Sequence, residues 1–231
     1  MNLACSGCPV RDRAACSVLT ESERDVLARA GRIRRLARGE LLFAAGDEDA
    51  ACATLVSGAL KVASINQDGT ERILALVHPA GFIGELFAPF AHHDVVALTA
   101  SELCVFARSD MGQAVDLHPK LSQALLRRSQ EDLHRAHELL SLSGRSATER
   151  LASLLLSFAE AASDSPCHAA RLFELPLTRG EIAGMLGLTI ETVSRTLTRF
   201  ERDGLITRKG ARGIELVDVA RLRHQAESAR S

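Results

Sequence analysis

The 231 residues, 46% hydrophobic and 25% charged, suffice for one large domain or two modest ones and have the balance of an ordinary globular chain. Phe is the sole aromatic residue of the Phe, Tyr and Trp set, which argues against the stacking platforms of single-strand nucleic-acid binders. A formal net charge of −1 excludes a uniformly basic surface, so any DNA site has to be a local patch.

Cys5, Cys8, Arg11, Asp12 and Arg13 stand where a signal peptide would need an apolar core. No stretch approaches the roughly 18–20 apolar residues of a membrane span. The expected compartment is therefore the cytoplasm, with no membrane partner. In a reducing compartment, clustered cysteines bind metal or sense redox state more often than they form disulfides.

In chain order, residues 1–19 form a short polar segment bearing Cys5, Cys8 and Cys16. Thr20 and Glu23 make a capping box for a first helix, with Val26, Leu27 and Ala30 as its apolar face. From residue 20 to 108 a sensor domain is expected, in which short apolar runs alternate with glycines. The runs centre on Leu41–Phe43, Ala53–Val56, Ala59–Ala63, Arg72–Val77, Val95–Leu98 and Cys104–Phe106, and Asp68-Gly69 signals a hairpin. This texture predicts a β-sandwich or roll. Cys52 reads as a small core residue beside a strand, and His92 and His93 as members of a solvated loop.

Over residues 109–143 the period becomes helical. Leu121, Leu125, Ser129, Leu133, Ala136 and Leu140 recur at spacings of four and three, a narrow seam suited to a parallel dimer helix; the alternative is a helix packed on its own roll. Residues 144–231 open with a second capping box, Ser146 and Glu149, ahead of Leu151, Leu154, Leu155 and Phe158.

The densest local signal lies between Leu177 and Leu205. Thr178 and Glu181 cap a short helix, Gly187 supplies a tight turn, and Thr189 caps a second helix with Val193, Leu197 and Phe200 inside. The predicted outer face carries Glu191, Ser194, Arg195 and Arg199, side-chain types that pair with base edges. Thr178, Arg179, Arg208 and Lys209 are further candidates for DNA contact, the last two on a β-hairpin wing with a glycine-bearing tip. Seven basic residues against four acidic ones between Thr178 and Gly213 make this the basic patch that the whole-chain charge conceals.

The α+β order of roll, seam helix and winged helix-turn-helix resembles the CRP/FNR family of regulators. The resemblance is carried by Ser57-Gly58-Ala59-Leu60-Lys61-Val62, by Gly81-Phe82-Ile83-Gly84-Glu85-Leu86 and by Leu188-Thr189-Ile190-Glu191-Thr192-Val193-Ser194-Arg195. It implies a cyclic-nucleotide-binding-like roll, a homodimer, double-stranded DNA as ligand and RNA polymerase as partner. Members that bind cyclic AMP carry an Arg-Ser pair after the Gly-Glu motif. Here Ala91-His92-His93-Asp94 follows instead, which argues against a cyclic-nucleotide effector.

Cys5-x2-Cys8-x7-Cys16, with Cys104 in the roll, is similar to the FNR and FixK-like branch of oxygen sensors. That similarity implies four thiolate ligands to a [4Fe–4S] cluster, and Glu191-x-x-Ser194-Arg195 implies a two-fold site close to TTGAT-N4-ATCAA. Soft thiolates suit zinc as well as iron–sulfur chemistry, and redox-active thiols without metal are a third reading. A family member sensing nitric oxide through haem, or a small molecule in the roll, is the alternative function. Where the enterobacterial relative keeps an acid in its seam this chain has Ala136, so dimerisation faces no charge penalty there. No phosphate loop, zincin motif or nucleophile elbow points to an enzyme.

Overall fold

The computed structural model describes residues 5–48, 51–66, 69, 71–141, 144–163 and 169–227. They divide into two compact units, Met1–Ala136 and His137–Ser231.

The first unit is a roll of two four-stranded antiparallel sheets. Its strands are β1 (Gly31–Leu36), β2 (Leu41–Phe43), β3 (Cys52–Ser57), β4 (Leu60–Ile65), β5 (Glu71–Val77), β6 (Phe82–Ile83), β7 (Asp94–Ala97) and β8 (Ser101–Phe106). One sheet runs β1-β8-β3-β6 and the other β2-β7-β4-β5. Leu55, Leu60, Val95, Ala97, Leu103 and Val105 fill the core. Gly58 turns the chain between β3 and β4 at φ +93°, where a Cβ would press into Ser101 Oγ and lie 2.6 Å from the Ala100 carbonyl oxygen. The β4–β5 hairpin forms as its turn signal implies, with Gly69 at φ +80°. Asp68, the other half of that signal, lies outside the described residues.

Strand β1 departs from the apolar-run pattern because its sequence is GRIRRL. Its arginines are kept by specific acceptors: Arg34 donates to the Leu41 and Leu42 carbonyls at 2.9 Å each, and Arg35 Nε donates to Glu102 at 2.8 Å. Helix α1 (Glu21–Ala30) starts at the Thr20/Glu23 capping box. Its buried residues are Leu27 and Ala28, whereas Val26 is 55% exposed. The apolar face is thus turned by one residue from the expected one.

The helical region after β8 is two helices, α2 (Arg108–Leu117) and α3 (Pro119–Ser141). Pro119 lacks an N–H and forces His118 out of the helical region, to φ −125° and ψ 85°. Leu121 is buried and Leu125 packs beside it against the roll's own apolar cluster, with Phe106 and Met111. The start of α3 therefore packs within its own chain. Leu126, Leu133 and Leu140 are 63%, 56% and 67% exposed, and their spacing of seven puts them on one helix face.

The second unit contains α4 (Ala147–Ala161), β9 (Leu172–Glu174), α5 (Arg179–Leu186), α6 (Ile190–Arg202), β10 (Ile206–Lys209), β11 (Gly213–Leu216) and α7 (Val219–Glu227). Helix α4 begins at the Ser146/Glu149 capping box. The sheet order is β10-β11-β9, so the wing hairpin gains a third strand that the sequence pattern does not announce. Leu151, Leu155, Ile182, Val193, Phe200, Ile206, Leu216 and Leu222 are its core.

In the turn after β5, burial and the nearby Arg135 charge push the His78 imidazole down from 6.5 to about 4. A depressed folded-state value means that stability is intact above pH 6.5 and is lost as pH falls from about 6.5 toward about 4. His78→Gln should flatten the fall in unfolding free energy over that interval, by about 1.4 kcal/mol per unit of the shift removed. Urea titrations across the interval check this, and parallel wild-type and variant curves would contradict it.

Candidate metal centre and nucleic-acid interface

Residues Cys5–Gly7 and Ala15–Val18 form two short 3-10 turns, with the chain between them folded by local bonds. Arg13 N–H donates to the Val10 carbonyl at 3.0 Å and Ala14 N–H to the same oxygen at 2.9 Å. This winding drives Val10 and Ala14 inward, where they are 2% and 1% exposed against Val56 and Ala80. Cys8, Cys16 and Cys104 pack on that same apolar cluster.

Cys104 comes from the middle of β8, between Ile33 of β1 and Thr54 of β3, so two neighbouring ladders fix its backbone. All four expected ligands, Cys5, Cys8, Cys16 and Cys104, line one cavity of about 260 Å³. Leu27, Phe82, Met111 and Leu121 supply apolar wall, and Arg11 and Arg24 supply positive charge. Among the described residues, no three His, Cys, Asp or Glu side chains are gathered tightly enough for a lone metal ion.

The thiols feel one another. Burial pushes the Cys104 thiol up to about 12, and negative charge on Cys8, Cys5 or Cys16 pushes it in the same direction. Burial followed by Cys8 and Cys5 raises Cys16, and burial followed by Cys8 raises Cys5. Cys52 is raised to about 11 by burial, but the charge beside it is Arg108 rather than a thiol. That separates Cys52 from the other four. Protonated thiols of this kind must lose their protons before they bind a metal.

In the second unit, α5 starts at the Thr178/Glu181 capping box and ends at Gly187, which takes φ +61° and ψ +43°. Thr189 accepts from the Thr192 N–H to start α6, whose buried side is Val193, Thr196, Leu197 and Phe200. Glu191, Arg195 and Arg199 are exposed on the other side and Ser194 is half-buried. Arg179 Nη1 donates to Ser194 Oγ at 3.0 Å, tying the first turn of α5 to the face of α6. Arg199 faces Asp203 at 3.5 Å.

The wing cations are less free than their sequence suggests. Arg208 donates to Glu201 through Nε at 2.9 Å and Nη2 at 2.5 Å, and these bonds hold the Glu201 carboxyl below its usual range. Lys209 lies 3.1 Å from Glu215. Phosphate would have to compete with both carboxylates.

A cyclic nucleotide-binding domain model matches residues 33–118 and a Crp-like helix-turn-helix domain model matches residues 149–225. The transcriptional activator protein FnrL of Cereibacter sphaeroides is 33% identical over 226 residues, spanning 96% of this chain and 91% of the relative. The chain belongs to the CRP/FNR family. It is a DNA-binding transcription regulator and not an enzyme. The nitrogen fixation regulation protein FixK of Bradyrhizobium diazoefficiens is 32% identical over 94% of this chain and 92% of its own. The solved structure of FixK2 from Bradyrhizobium japonicum matches with a TM-score of 0.76 and 26% identity, covering 84% of this chain and 96% of that one.

Within this family member, the Gly84-Glu85 pair does not present a free carboxylate. Glu85 accepts from the His92 backbone N–H at 3.3 Å and pairs closely with the His92 ring. Among the described residues, no helix is long and apolar enough to cross a membrane.

Sequence reasoning did not find Leu126, the Arg179–Ser194 bond or the wing ion pairs. Leu126 had a signal, since it stands seven residues before Leu133 and fourteen before Leu140. The ion pairs had none, because they join residues on separate elements.

Gly187 is the steric test of the turn. At φ +61° an alanine is strained, so Gly187→Ala should lower the stability of the second unit by about 1 kcal/mol. A urea midpoint that stays in place or rises would show that the turn does not need a left-handed residue.

Proposed function

We propose that this CRP/FNR regulator senses oxygen through a [4Fe–4S] cluster held by Cys5, Cys8, Cys16 and Cys104, and that as a homodimer it binds a site close to TTGAT-N4-ATCAA. The observation that carries the first part is the meeting of these four thiols, from a terminal segment and a central strand, at one apolar cavity. The donor set fits: four soft sulfurs with arginines nearby suit an iron–sulfur core whose thiolate-ligated form is anionic.

When bound, the cluster supplies a centre that oxygen degrades. The chain's own residues do the rest. Val10 and Ala14 anchor the segment that presents Cys8 and Cys16. Phe82, Met111 and Leu121 exclude water, and Arg11 and Arg24 offset negative charge. Ligation displaces the thiol protons, so assembly is favoured as pH rises.

The exposed Leu126, Leu133 and Leu140, with Ser129 and Ala136 between them, are the proposed dimer seam; Leu125 belongs to its inner margin. Ala136 places no charge in that seam, so the signal acts on the orientation of the DNA-binding units as well as on association. Glu191, Ser194 and Arg195 lie at i, i+3 and i+4 and enter one major groove together. Thr178, Arg179, Arg199, Arg208 and Lys209 flank them for backbone contact. RNA polymerase is the partner that family membership suggests.

Replacing Cys104 with Ser should abolish the chromophore of anaerobically purified protein, and Cys52→Ser should leave it intact. A chromophore that survives Cys104→Ser sinks the ligand assignment.

Arg195, exposed and without an ion pair among the described residues, is the expected guanine reader. Arg195→Ala should cost about 1–3 kcal/mol per half-site and flatten preference at that base in a binding selection. Unchanged base preference, or a selected site unrelated to TTGAT, would overturn the DNA reading.

A further inference from the structure

Arg128 of α3 makes contacts that neither the thiol site nor the DNA face requires. Its Nη2 donates to the Arg13 carbonyl at 2.8 Å and to the Ala80 carbonyl at 3.0 Å. Its Nη1 lies 3.5 Å from Glu131, and its side chain is 20% exposed. Arg13 lies between Cys8 and Cys16, next to the buried Ala14. Ala80 is in the same apolar cluster, at φ +75°, a conformation that an alanine adopts only when its surroundings impose it. A third bond fixes that corner, since Ala80 N–H donates to the Leu55 carbonyl at 2.8 Å.

Helix geometry gives this clamp a direction. Two residues along an α-helix turn the side chain by about 200°, so Arg128 stands on the opposite side of α3 from Leu126 and Leu133. One side of the helix is fastened to the cysteine segment while the other presents the exposed leucines.

We propose that Arg128 is a positioning residue that couples the cysteine segment to α3, so that gain or loss of thiol ligation moves the leucine face. The coupling rests on the cluster reading, whereas the clamp itself does not. The guanidinium spreads its donors over two nitrogens in one fixed plane, Nη2 on both carbonyls and Nη1 toward Glu131. Lysine keeps the charge but loses the fork.

The test uses the full-length protein with Arg128→Ala and Arg128→Lys, each checked for folding by circular dichroism. In reduced, metal-free samples, iodoacetamide labelling followed by mass spectrometry reads the exposure of each cysteine. Cys8 and Cys16 should label about tenfold faster in Arg128→Ala, the factor expected from losing charge-assisted hydrogen bonds, with Cys52 unchanged. Arg128→Lys should fall between, and it decides the matter if the alanine variant does not fold. Wild-type labelling rates in the folded variants overturn the clamp.

Sedimentation then compares dimerisation of anaerobic, iron-loaded protein with that of the metal-free form. Wild type should dimerise more strongly when iron-loaded and the variants should lose most of that difference; equal dimerisation of the two wild-type forms, or a variant difference of wild-type size, overturns the coupling. Wild-type protein that assembles no chromophore defeats the cluster reading and the coupling with it, while the labelling experiment still decides the clamp.

Discussion

Two small side chains, Val10 and Ala14, hold the cysteine segment on the roll. Among its described residues the segment pairs with no strand; Val10 and Ala14 pack against Val56 and Ala80, and Ala15 and Leu19 pack in the cluster of Leu27 and Phe106. Everything proposed for the thiol centre follows from that contact. It brings Cys8 and Cys16 to the strand that carries Cys104, and it places the Arg13 carbonyl where Arg128 can reach it. The Arg128 guanidinium serves the Arg13 and Ala80 carbonyls at once.

The two candidate sites fall in separate units. The thiol centre lies wholly in the first unit, and the helix-turn-helix lies wholly in the second. Helix α3 leaves the first with its early leucines packed inward and its later ones exposed. The charges around the outer face of α6 are graded: Arg195 is exposed with no ion pair among the described residues, while Arg199, Arg208 and Lys209 lie against acids on their own chain. Such paired cations release to phosphate at a cost that falls on all sequences alike.

Local chemistry was legible in the sequence. The boxes at Thr20/Glu23, Ser146/Glu149 and Thr178/Glu181 each use residues three apart, and all three form. Gly187 and the wing hairpin are equally local. Strand β1 was hidden because arginines satisfied by Leu41, Leu42 and Glu102 do not look like a strand face. Strand β9 was hidden by its length of three residues. In α3, periodicity alone could not distinguish leucines packed on the roll from leucines left open, so Leu125 was expected where Leu126 stands. The Arg128 clamp joins residues 115 and 48 positions apart, beyond the reach of any spacing rule.

In the proposed function, the ligation state of four thiols in one unit sets DNA binding by the other. A fluorescence anisotropy titration of a duplex carrying TTGAT-N4-ATCAA tests it most directly, run on anaerobic protein and on the same sample after exposure to air. Affinity should fall on exposure in step with loss of the chromophore, and should fall much less for a duplex with both half-sites scrambled. Equal affinity before and after exposure would contradict the claim.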